Sequence, residues 1–120
     1  MGLVIQRLEA APRHRIGDRG EVVALVDSMI GASKVDVHIN RLTAGGPPGR
    51  YHFHPHSENI YIITRGKGTF VADEQSFVLS KDDVVFIPPG IKHSLTADIT
   101  EGLDLIEIFA PVPVETVWLD

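Results

Sequence analysis

Apolar and polar residues alternate along most of this chain in short runs, and no stretch holds a helical period for three turns. Lys34–Leu42 sets Val35, Val37 and Ile39 on one face and Asp36, His38 and Asn40 on the other. That is the period of a strand, in which residues two apart share a side. Leu103–Phe109 repeats the pattern, with Leu103, Leu105, Glu107 and Phe109 on one face and Asp104, Ile106 and Ile108 on the other. Asn59–Thr64 (NIYIIT) predicts the strongest strand, and Glu21–Val26, Arg50–His54, Thr69–Ala72, Ser76–Leu79, Val84–Ile87 and Lys92–Thr96 predict others. Between them lie breakers. Ala44–Gly49 (AGGPPG) reads as a loop, Arg65–Gly68 (RGKG) as a hairpin turn, and Asp73-Glu74, Ser80–Asp83 and Pro88-Pro89-Gly90 as tight turns. Pro111 and Pro113 stop the last long strand.

The 11 glycines and 8 prolines are spread over the whole length, with no linker and no internal repeat. Roughly ten short strands joined by tight turns predict an all-β, closed or double-sheet antiparallel barrel formed by a single domain over residues 1–120. The net charge of −5 suits solubility and supplies no basic patch, so no nucleic-acid partner is expected. Absence of cysteine excludes disulfides, zinc ribbons, iron–sulfur clusters and thiol nucleophiles. No apolar run approaches a membrane span, and the first fifteen residues carry no signal-peptide core. No membrane partner is expected, and the default location is cytoplasmic.

The histidines change this picture. His52, His54 and His56 fall within YHFHPHSE, with Glu58 two positions further on. His52 and His54 share a strand face and can aim two imidazoles at one point. Neutral imidazole and carboxylate are good ligands for divalent transition metals. Pro55 ends the strand and allows Glu58 to return from the start of the next, while His93, after the Pro88-Pro89-Gly90 turn, can face them from a second hairpin. Pro55 also breaks the alternation before His56, which is expected at the rim. His14 and His38 read as surface or edge positions.

With these residues the chain resembles the cupin superfamily over about Leu42 to Pro111. Its first motif reads Gly46, five residues, His52-Phe53-His54, three residues, Glu58, then Gly66; its second reads Asp82, five residues, Pro88-Pro89-Gly90, two residues, His93. The resemblance implies an antiparallel double-stranded β-helix, a jelly-roll barrel. It also implies a three-His one-Glu ligand set of His52, His54, Glu58 and His93 for one divalent ion, whether Fe, Mn, Ni, Zn, Co or Cu. There are departures. Asp82 stands where the second motif usually has Gly, and Ala97 where it usually has Asn. Glu58 is separated from Gly66 by seven residues rather than six, which suggests a bulge in the Asn59–Thr64 strand.

Glu107 is a carboxylate in an apolar row. It is either a salt-bridged or rim residue, or a catalytic acid or base with a raised pKa in the pocket. Phe53, Tyr61 and Phe86 are expected as apolar pocket walls. Four protein ligands leave an octahedral ion open to a small organic molecule, so dioxygenase chemistry is one expectation. Isomerase, lyase or cyclase chemistry is a second, and a non-catalytic small-molecule-binding cupin a third. A homodimer is expected, with Glu21–Val26 and Val112–Leu119 as apolar material outside the motifs.

Overall fold

The computed structural model describes residues 2–119. Met1 and Asp120, the ends of the predicted domain, lie outside them. Ten strands are present among the described residues. They are β1 (Arg13–Arg15), β2 (Gly20–Val26), β3 (Asp36–Leu42), β4 (His52–Phe53), β5 (Glu58–Ala72), β6 (Gln75–Ser80), β7 (Val84–Ile87), β8 (His93–Ala97), β9 (Leu103–Ala110) and β10 (Val117–Trp118). Every strand pair is antiparallel. One sheet runs β1-β2-β3-β9-β5-β7 and the other β6-β5-β8-β4-β10. No helix among the described residues is long and apolar enough to cross a membrane.

β5 belongs to both sheets. Its first half pairs with β7 and β9, and its second half with β6 and β8. The predicted hairpin turn at Arg65–Gly68 is therefore corrected: the chain does not reverse there but carries on as one fifteen-residue strand. Its two glycines serve a crossing instead of a turn. The register against β9 shifts between Ile63 and Arg65, and Gly66 follows with φ +85°, where a side chain would run into the Gly102 carbonyl. A bulge of this kind bends a strand and lets it leave one sheet for the other.

The inner faces of the two sheets meet over Leu42, Tyr61, Ile63, Phe70, Leu79, Ile87, Leu95, Leu103 and Leu105. β9 buries alternate residues, Leu103, Leu105, Glu107 and Phe109, as its sequence period predicts. Truncating one of the fully buried leucines, Leu103 or Leu105, to Ala removes transfer energy and leaves a void, at a cost of about 2–5 kcal/mol. In β3 the inward side is the polar one: His38 and Asn40 turn toward Glu107 on β9. This polar seam borders one mouth of the barrel, and the short strands β4 and β10 close over it.

Candidate metal centre

The local chain builds the site in three steps. β4 lasts two residues before Pro55, pairs with β8 at His52↔His93, and is covered by β10. The Pro88-Pro89-Gly90 turn is tied to β4 by the Gly90 amide donating to the His54 carbonyl at 2.8 Å, which sets His93 beside His54. As a result, one ring nitrogen from each of His52, His54 and His93 lies within 4.8 Å of the others. Ring centroids are 4.4 Å apart for His52 and His93, 5.0 Å for His52 and His54, and 5.4 Å for His54 and His93.

Each imidazole is fixed by the same device. The Nδ1 atoms of His52, His54 and His93 donate to the carbonyls of Arg50 (2.8 Å), Glu115 (3.1 Å) and Ile91 (2.8 Å). A carbonyl only accepts, so the proton sits on Nδ1 and the lone pair is left on Nε2. The Nε2 atoms of His54 and His93 are buried without any hydrogen-bond partner. Buried polar atoms without partners are rare and costly. Here they are lone pairs aimed at one point. Burial pushes the His93 imidazole down to about 4 and also lowers that of His52. Both are then neutral near pH 7, the form that ligates a metal. The donor set and its tautomers fit a borderline divalent cation.

Glu58, the fourth sequence-predicted ligand, is not brought to this cluster. It is exposed, on the opposite face of β5 from Asn59, Tyr61 and Ile63. Asn59 is fully buried and is separated from Gly66 by six residues, the separation the motif asks for. The bulge expected in the Asn59–Thr64 strand is present at Thr64, between Ile63 and Arg65, and Glu58 lies on the exposed face. His56 is exposed at the rim, 3.5 Å from Glu115.

A cavity of about 260 Å³ opens beside the histidines, lined in part by Arg19, His52, His54, Tyr61, Glu107 and Trp118. Of the expected walls only Tyr61 is among its lining residues. Phe86 is 55% exposed on the outer surface, and Phe53 pairs with Val117. Phe109, which packs edge-on against His54, and Trp118, which packs against His52, take their place. Trp118 also lies under the Arg50 guanidinium at 4.6 Å.

Glu107 reaches the cavity wall, but its carboxyl is held down and not up. Burial by itself would raise it. The hydrogen bond and charge of His38, with amide donors from Asn59 and Asn40, outweigh burial and lower it. The distances are 3.0 Å from His38 Nε2, 2.7 Å from Asn40 Nδ2 and 3.0 Å from Asn59 Nδ2. Burial lowers His38 in turn, while Glu107 and Asp36 raise it, and the net shift is upward. Glu107 is thus the salt-bridged carboxylate of the two alternatives, ionised and pinned. His38 is half-buried behind Glu107 on a strand between β2 and β9, not a surface or edge residue. Its signal lay in the polar face of Lys34–Leu42, which only the β3–β9 register sets opposite Glu107. Arg19 was also missed. Its Nη2 donates to the Leu95 carbonyl at 2.8 Å, and no carboxylate pairs with it among the described residues.

An inner row of histidines at one mouth of a double-stranded β-helix defines the class, and the comparisons agree. The Cupin domain family matches residues 39–109, and the chain belongs to that family. A cupin-like protein from Thermotoga maritima is 30% identical, covering 88% of this chain and 89% of its own, with a TM-score of 0.73. The polyketide cyclase RemF from Streptomyces resistomycificus, 16% identical, covers 99% of this chain and 88% of its own at a TM-score of 0.82 and shares the fold. An uncharacterised protein of Methanocaldococcus jannaschii is 39% identical over 44 residues, 37% of this chain and 35% of that relative's length.

Proposed function

We propose that this cupin is a metal-dependent enzyme acting on a small, oxygen-bearing organic anion. The observation that carries the reading is the histidine cluster: three imidazoles held in the Nδ1–H tautomer by backbone carbonyls, beside an open cavity. His52, His54 and His93 would hold one divalent transition metal ion. When bound, such an ion supplies a Lewis-acid or redox centre to an oxygen of the substrate.

The chain's own residues shape what reaches that point. Arg19 and Arg50 bring positive charge to the cavity, while the carboxylate of Glu107 is countered by His38. The balance favours a carboxylate or enolate. Tyr61, whose hydroxyl is held protonated by burial and by the nearby Glu107 charge, is a hydrogen-bond donor on the wall. Trp118 and Phe109 supply apolar cover. The fold neighbour RemF is a polyketide cyclase, which is compatible with chemistry on such oxygens, and an open metal site also suits oxygenase, isomerase or lyase chemistry.

The test loads the protein with Co(II) and titrates azide, then an α-keto acid, while the visible spectrum is followed. A saturable spectral change, weakened by Arg19→Met, is expected. A spectrum that neither ligand alters means a closed coordination sphere, and the enzyme reading falls. Oxygen uptake by the Fe(II)-loaded protein then separates oxygenase from non-redox chemistry. We further propose that the protein acts as a homodimer. Phe77 on β6 and Phe86 on β7, 45% and 55% exposed, line one surface groove and offer an apolar face for a second copy.

A further inference from the structure

Among the described residues, three buried side-chain polar atoms have no hydrogen-bond partner: His54 Nε2, His93 Nε2 and Asn59 Oδ1. Two of them belong to the histidine cluster, and the third belongs to a side chain with no accessible surface at all. The orientation of the Asn59 amide follows from its neighbours. Glu107 Oε2 at 3.0 Å and the Ile108 carbonyl at 3.1 Å are both acceptors, so the NH₂ group faces them and the oxygen faces away. Asn59 is bracketed by residues that touch the cluster. Phe109, its partner across β9, packs against His54 at 4.9 Å. Tyr61, two residues along the same face of β5, packs against His93 at 6.4 Å. The three orphaned atoms thus belong to two members of the cluster and to a side chain flanked by residues packed on it.

We propose that Asn59 Oδ1 is the fourth protein donor of the metal centre, making a neutral three-His one-Asn set. The inference rests on the metal-dependent reading above. Its chemical consequence is charge. Three imidazoles and an amide oxygen leave a divalent ion with its full double charge, where a carboxylate ligand would remove one unit. The centre is then matched to an anionic, chelating ligand such as a small carboxylate, in keeping with Arg19 on the same cavity.

Co(II) titrated into the metal-free protein and into Asn59→Ala tests the assignment by affinity and by the visible bands, with far-UV circular dichroism to confirm that the variant folds. Expected are one Co(II) per wild-type chain, at least a tenfold weaker Kd in Asn59→Ala, and altered band intensities from the changed coordination. Should Asn59→Ala not fold, the wild-type protein still decides. With ¹³C-labelled asparagine, the side-chain carbonyl carbon of Asn59 should move downfield on adding Zn(II). Equal Kd and spectra in wild type and variant, or an Asn59 carbonyl that does not move, overturn the fourth-donor assignment and leave the three-histidine reading standing. A wild-type protein that binds neither Co(II) nor Zn(II) overturns both.

Discussion

His52, His54 and His93 come from two strands, yet each spends its Nδ1 proton on a main-chain carbonyl and so presents the same nitrogen outward. The i, i+2 spacing of His52 and His54 made two of them legible in the sequence, and the Pro88-Pro89-Gly90 turn marked the third. The fourth donor proposed above was not legible. NIYIIT is apolar on both faces, so the phase of its alternation cannot be read from hydrophobicity, and a one-residue shift exchanges Glu58 for Asn59. Glu58→Gln should therefore leave metal affinity within twofold of wild type, as measured by competition with a chromogenic chelator; a tenfold loss would return Glu58 to the ligand set. The His38–Glu107 pair makes a prediction about pH. The folded pKa of His38 is raised from 6.5, so its contribution is complete below 6.5 and is lost as pH rises through the raised value. That of Glu107 is lowered from 4.5, so its contribution is complete above 4.5 and is lost as pH falls through the lowered value. The stability difference between wild type and His38→Gln, by urea unfolding, should be greatest between those pH values at roughly 1.5–3 kcal/mol, and shrink on either side. A difference independent of pH would show that no ion pair forms.

At the scale of elements, the turns built on proline were legible because proline removes a donor and leaves few alternatives. Arg65–Gly68 was not, because two glycines close together mark either a reversal or a close passage of backbones. The deciding partner, Gly102 on the approach to β9, lies 36 positions after Gly66 in the chain. Gly66→Ala would place a methyl group against the Gly102 carbonyl in a backbone conformation that suits glycine. A loss of roughly 2–4 kcal/mol in denaturant unfolding is expected, since strain and clash add. A loss below 0.5 kcal/mol would mean that the crossing of β5 relaxes freely. The polar face of β3 was visible as Asp36, His38 and Asn40. That it faces inward depends on the carboxylate of Glu107 buried opposite, a long-range pairing that no local pattern contains.

At the scale of the molecule, the double-stranded β-helix was legible from strand spacing and the two motifs together, because strand lengths and turn positions leave few ways to close a barrel. The surface proposed for the homodimer was less so. Glu21–Val26 lies inside a sheet between β1 and β3, and Trp118 packs on His52, so neither segment is simply spare apolar surface. The groove lined by Phe77 and Phe86 is the face proposed instead. Light scattering at micromolar concentration should give a mass near twice 13.1 kDa, and Phe77→Glu should shift it toward the single chain; a wild-type mass near 13.1 kDa would refute the dimer. Both proposals stand on the histidine centre, and elemental analysis after loading with Zn(II) and desalting probes it without assuming a reaction. One zinc per wild-type chain is expected, with at least about a tenfold loss in His52→Ala and in His93→Ala and none in His56→Ala. Full occupancy in both histidine variants, or no bound zinc in the wild type, would contradict it.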